Sequence, residues 1–215
     1  MNIQNTPVLG GTAPRHATRT AQKLAGFALG WVNSIPRNLE CKRYLDVGCG
    51  NGFITELVAP SFDEVVGIDM EEERLEDFRA HVNGKPNFQI LLMSAAKIEF
   101  PNEFFPFITT FEVLEHVGDW DDQRQFAAEI RRVALRGYFI TTPNRYFPIE
   151  PHALLPLYQF YPERLKPFGL RLSPGYMNEV EHISLLTRKT LQALFPEAHV
   201  QLVNFASTLI AFHIV

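Results

Sequence analysis

The stretch YLDVGCGNGFITELV, Tyr44 to Val58, decides how the rest of the chain is read. Tyr44, Leu45 and Val47 form a short apolar run that carries the aspartate Asp46 near its end. Three glycines at alternate positions follow, Gly48, Gly50 and Gly52. From Phe53 the apolar residues recur at helical spacing. The stretch therefore reads as a buried strand, a turn of bare backbone and a helix. Glycine tolerates positive φ and close approach to the main chain.

Working outward, the same alternation continues. Arg43 to Val47 is a predicted strand and Phe53 to Ala59 a helix. EVVGID gives a strand over Glu64 to Ile68, and an amphipathic helix follows from Glu71 to Val82. FQILLM (Phe88 to Met93) and FITTF (Phe107 to Phe111) are the third and fourth strands. Asp121 to Val133 is a helix, with Phe126, Ile130 and Val133 on one face. Gly137 to Thr141 is the fifth strand. Strands alternating with helices imply a parallel sheet covered on both faces. Thr187 to Phe195 then reads as a helix, and Val200 to Phe205 and Thr208 to Val215 as two closing strands. Ahead of the sheet, 1–14 is a loose arm, and a helix over 15–35 is stopped by Pro36. The whole of 1–215 is expected to be one α/β domain.

The formal net charge of −4 supplies no global basic footprint for nucleic acid. Cys41 and Cys49 flank one strand and sit at its opposite ends, so both read as free thiols in a reducing, cytoplasmic setting. Neither a signal peptide nor a membrane-spanning run is legible: Val200 to Val215 is apolar but short, and carries Gln201, Asn204 and His213.

In an open parallel sheet, ligands bind beyond the carboxyl ends of the strands. Two ligands suit a carboxylate beside a glycine turn there, a dinucleotide and S-adenosylmethionine. The dinucleotide fingerprint G-x-G-x-x-G puts its third glycine where Phe53 stands, and a pyrophosphate would be repelled by Asp46. S-adenosylmethionine has no phosphate; it carries an ammonium, a sulfonium, a ribose diol and adenine. LDVGCGNG, VVGID and FEVLEHV, in that order, resemble the first, second and fourth strand motifs of class I S-adenosylmethionine-dependent methyltransferases, over roughly Arg43 to Asn144. That resemblance implies a Rossmann-like, doubly wound, mostly parallel sheet of seven strands whose last strand is antiparallel. It implies that Asp46, Gly48, Cys49, Gly50 and Phe53 surround the methionine part of the cofactor, and that Asp69 and Met70 hold ribose and adenine. Phe111 and Glu112 would line the sulfur end. The family's acidic contact to the adenine amino group falls here on Ser94, followed by Ala95, which departs from the pattern.

Three acid–histidine clusters follow: Glu112, Glu115 and His116; Glu150 and His152; Glu181 and His182. A hydroxyl acceptor calls for a general base, so His116, His152 and Glu150 are the catalytic candidates. No metal is expected on that reading; an alternative ligand set is Glu112, Glu115, His116 and His182. FEVLEHV, TTPNR and EHISLLTR are similar to segments of metal-dependent small-RNA terminal methyltransferases, and similar fourth-strand motifs occur in ubiquinone-pathway O-methyltransferases. His16, His81, His199 and His213 have no partner motif and read as structural. The proline- and aromatic-rich segment 143–180 reads as an insertion over the strand ends, suited to a small or lipid-like acceptor or to peripheral membrane contact. The expected function is O-methylation by direct in-line transfer. Its rivals are a metal-assisted methyltransferase acting on RNA or a diol, and a non-catalytic cofactor-binding subunit.

Overall fold

The apolar runs are the strands of one sheet, and their burial follows from their place in it. The computed structural model describes residues 19–34, 43–173 and 183–214. The parallel strands are β1 (Arg43–Val47), β2 (Glu64–Asp69), β3 (Phe88–Leu92), β4 (Phe105–Phe111) and β5 (Ala134–Pro143). Two further strands of this sheet, β8 (His199–Val203) and β9 (Thr208–Ile214), close it beyond a small hairpin, β6 (Ile149–Glu150) and β7 (Leu155–Pro156). The order across the large sheet is β3-β2-β1-β4-β5-β9-β8, and β9 runs antiparallel to both of its neighbours. This is the expected doubly wound sheet with an antiparallel last strand. Every residue of the central β4 is buried.

Each face has its own core. On one, Leu24 and Trp31 of α1 (Arg19–Asn33) and Val58 of α2 (Phe53–Val58) pack on Tyr44, Phe107 and Phe139. On the other, Phe126 and Ile130 of α4 (Trp120–Val133) and Leu191 and Leu194 of α6 (Arg188–Leu194) pack on Leu45, Ile108 and Ile140. Alternate strand residues point to opposite faces, so one apolar run supplies both cores. Leu75 and Phe78 of α3 (Glu72–His81) form a third, smaller cluster with Cys49 and Val82. Helix α4 starts on a reciprocal cap: Asp119 accepts from the amides of Asp121 and Asp122, and Asp122 accepts from that of Asp119.

Among its described residues, 143–173, the insertion after β5 holds no long element, as its prolines predict. It contains the hairpin β6–β7, short 3₁₀ turns and the five-residue α5 (Lys166–Leu170). Ala153 and Tyr158 form its own small core, with Leu155, Tyr161, Leu170 and Ile183 against them. Positions 1–18, Cys41, and Glu181 with His182 lie outside the described residues.

Candidate active site

β1 and β4 are neighbours whose following chain runs to opposite sides, so the crevice for a ligand opens at their carboxyl ends. Gly48, Gly50 and Gly52 all have positive φ, at 74°, 51° and 80°. Two of them are also sterically obligatory. A Cβ on Gly52 would lie 2.1 Å from the Phe78 ring, and one on Gly48 would lie 2.4 Å from Val113 Cγ2. Gly50 differs: its nearest neighbour would be an Arg74 side-chain atom at 3.9 Å. The glycine turn is thus wedged against α3 and against the turn after β4, and is open at Gly50.

Asp46 is 2% exposed. Thr55 Oγ1 donates to its Oδ2 at 2.5 Å and Thr109 Oγ1 to its Oδ1 at 2.9 Å. Burial pushes its pKa up to about 7, the two hydroxyls pulling only partly back. Its first structural role is therefore to tie β1, α2 and β4 together. Asp69 does similar work at the next strand end. Its Oδ2 accepts from the Gly50 amide at 2.8 Å, and its Oδ1 from the amides of Met70 and Glu71 at 2.7 and 3.0 Å. Met70 beside it is exposed, and so is Leu92, which pairs with Asp69 across β2–β3.

Other candidates are placed differently. The Cys49 side chain is absorbed in the cluster with Phe78, and burial pushes its thiol strongly up, so it serves as packing. The Phe53 ring, on the first residue of α2, stacks on His81 with centroids 5.7 Å apart. Ser94 Oγ accepts from the Ala96 amide, and Ala95 packs on the core. Phe111 is buried against Phe139.

Glu112 follows β4 with φ at 55°, a strained value for a residue with a side chain. Its Oε1 is buried without a hydrogen bond, and burial pushes its pKa up to about 7, against the pull of Thr141 and His152. Glu115 is fully buried; Thr142 Oγ1 donates to its Oε2 at 2.9 Å. Burial, and then the nearby Glu112, push its pKa well up. The insertion brings the second cluster onto the first. His152 Nδ1 lies 2.5 Å from Glu150 Oε1, while the His152 and Ala153 amides donate to Glu150 Oε2 at 2.9 and 2.6 Å. Burial alone would raise Glu150; these bonds outweigh it and hold the carboxylate below its ordinary range. A ring whose Nδ1–H is committed to a carboxylate carries its lone pair on Nε2. The His116 and His152 rings meet edge to face at 5.1 Å. Glu115, His116 and His152 each offer a ligand atom, all within 4.8 Å of one another. The structure thus unites His116, Glu150 and His152. It also puts His152 beside Glu115 and His116, the place that the alternative metal set gave to His182.

Sequence reasoning missed the threonines. Thr55, Thr109, Thr141 and Thr142 line up behind Asp46, Glu112 and Glu115; the paired TT of FITTF and ITTP was the only available signal for the last three, and Thr55 in FITELV had none.

The group that fits the turn must tolerate Asp46, Asp69 and the unpaired oxygen of Glu112 while touching open backbone at Gly50. A cationic ligand with hydroxyls to donate meets those terms, and a pyrophosphate does not. Comparisons with known proteins agree. Residues 45–141 match the family model described as a methyltransferase domain. Over those residues the chain is similar to S-adenosylmethionine-dependent methyltransferases, proteins whose methyl donor is S-adenosylmethionine. It is 32% identical over 120 residues to a ubiquinone biosynthesis O-methyltransferase of Bordetella parapertussis, covering 54% of this chain and 49% of that one. It is 30% identical over 136 residues to the Nitrosospira multiformis protein of the same name, covering 61% and 55%. The chain spans about half the length of these curated relatives. Among solved structures, a Clostridium acetobutylicum S-adenosylmethionine-dependent methyltransferase shares the fold with a TM-score of 0.67 at 11% identity, covering 89% of this chain and 90% of that one. The Synechocystis magnesium protoporphyrin IX methyltransferase, solved with bound SAH, scores 0.61 at 14% identity, covering 91% and 83%.

Proposed function

We propose that the chain methylates an oxygen of a small or lipid-like acceptor, with S-adenosylmethionine as donor. The observation that carries this reading is the Glu150–His152 pair, seated on the turn that also touches the glycine loop through Val113. Asp69, Met70 and the open main chain of Gly50 would hold the cofactor, with Asp46 fixing the turn beneath it. When bound, the cofactor supplies an electrophilic methyl group on a sulfonium. The chain's own work is to align the acceptor and remove its proton. Glu150 holds the His152 ring so that Nε2 accepts the hydroxyl proton, and the resulting imidazolium is stabilised by the same carboxylate. His116, packed edge-on against that ring, limits its rotation. The names of the curated relatives support an oxygen acceptor. The buried thiol of Cys49 fits a reducing, cytoplasmic setting, and no helix of the described residues is long and apolar enough to cross a membrane.

Calorimetric titration with S-adenosylhomocysteine tests the cofactor, with NADH as control. Binding lost in Asp69→Ala supports it; silence toward both ligands overturns it. An acceptor screen with phenolic and catechol-like compounds tests the chemistry. His152→Ala should lower kcat by about 10²–10⁴-fold with the S-adenosylhomocysteine affinity nearly intact. Normal turnover in that variant would exclude His152 as the base. Turnover lost with a chelator and restored by magnesium would assign Glu115, His116 and His152 to a metal instead.

A further inference from the structure

The insertion has two sides. Its inner side delivers Glu150 and His152, 2% and 4% exposed, to the end of β4. Its outer side is unusually apolar. Of the fourteen large hydrophobic side chains exposed among the described residues, eight fall within 143–173. Leu165, Phe168 and Leu172, at helical spacing through α5 and its flanking turns, are 48%, 65% and 71% exposed. Tyr146 and Phe160 add exposed rings near the hairpin, where Gln159 donates to the carbonyls of Arg145 and Phe147.

The charge on this segment is opposite to that of the chain. It carries Arg145, Arg164, Lys166 and Arg171 against Glu150 and Glu163, within a chain of net charge −4. Glu150 is buried on His152, and Glu163 pairs with Lys166. Arg145, Arg164 and Arg171 are exposed and form no ion pair among the described residues; Arg145 instead lies over the Phe160 ring, 5.9 Å from its centroid.

We propose that the outer side of residues 145–172 docks on an anionic phospholipid surface. Apolar side chains that interrupt one another with arginines suit an interface in which rings and leucines enter the acyl boundary while guanidinium groups stay among the phosphates. The backbone here offers a protein partner only a five-residue helix and two-residue strands, but lipid needs neither a long helix face nor a strand edge. Exposed patches of this composition mark interaction sites. The exposed side chains belong to the same segment that carries the buried His152, so docking brings the site near the bilayer. The proposal stands whether or not the acceptor is itself a lipid.

Flotation of the full chain with vesicles tests it, using phosphatidylcholine alone and phosphatidylcholine with phosphatidylglycerol in equal parts. The wild type should float with the anionic vesicles, less so as salt is raised, and stay in solution with the neutral ones. Each arginine charge removed should weaken partitioning about fivefold, so Arg164→Gln with Arg171→Gln should lose more than tenfold. Phe168→Asp with Leu172→Asp should abolish flotation. Urea midpoints and S-adenosylhomocysteine binding unchanged in both variants would show that the fold is intact. Failure of the wild type to float, equal flotation with neutral vesicles, or undiminished flotation of the folded variants would overturn the proposal. So would a concentration-dependent dimer that Phe168→Asp with Leu172→Asp dissociates while vesicles are ignored. Absence of S-adenosylhomocysteine binding by the wild type would count against the cofactor reading alone.

Discussion

Asp46 shows how a single residue can serve the fold and the site at once. Both of its oxygens accept hydroxyl protons, from Thr55 and Thr109, and burial raises its pKa to about 7. A carboxyl group whose folded pKa lies above its unfolded one contributes its full stability below about pH 4, and that contribution is lost as pH rises toward about 7. Asparagine cannot ionise and escapes this loss. The unfolding free energy of Asp46→Asn, measured by urea in the absence of ligand, should therefore gain on the wild type by about 4 kcal/mol from pH 4 to pH 8. A difference independent of pH would mean that the folded chain already solvates or pairs the charge. Asp46 was legible as a site residue because an aspartate in an apolar strand is conspicuous. Its partners were not: Thr109 is 63 positions away, and only the β1–β4 pairing brings it near.

At the scale of the element, the glycine turn divides its work. Gly52 faces Phe78, which is fully buried and has no room to retreat. Gly52→Ala should cost about 2–4 kcal/mol in urea unfolding, from overpacking and a left-handed backbone together. Gly50→Ala meets only the Arg74 side chain, in ordinary contact at 3.9 Å, and should cost about 1 kcal/mol, for its φ alone. The same methyl stands where the proposed cofactor approaches, so Gly50→Ala should weaken S-adenosylhomocysteine binding more than Gly52→Ala does. Equal binding losses would remove Gly50 from the site. Strand boundaries show what apolar pattern can and cannot give. Arg43–Val47 falls where the pattern places it. β4 starts two residues before its predicted start, because Pro106 sits in a register shift between Phe105 and Phe107, where a missing amide donor is tolerated. The turn after β4 was legible as EVLEH, but the positive φ of Glu112 was not, since it is imposed by packing rather than by residue type. The Glu150–His152 pair was visible as residues, and its reach back to His116 came only with the folded insertion.

At the scale of the molecule, the question is whether α1 and the insertion belong to one cooperative unit with the sheet. Nothing in the sequence said which face α1 covers; its apolar spacing predicted only that it covers one. In the structure Trp31 is fully buried between Phe107 and Phe139, its ring centroid 6.1 Å and 5.8 Å from theirs. The other tryptophan, Trp120, is 43% exposed at the start of α4. In Trp120→Phe the fluorescence therefore reports the docking of α1 on β4 and β5 alone, while far-UV circular dichroism reports the whole chain. If 1–215 is a single domain, the two signals should follow one urea transition with one midpoint. Trp31→Ala should lower that midpoint for the whole chain, by about 3–5 kcal/mol of stability, because the cavity opens under the central strands. A fluorescence change that precedes the loss of circular dichroism would make α1 a separately melting cover. The sheet would then be the folding unit, and the single-domain boundary would have to be redrawn at β1.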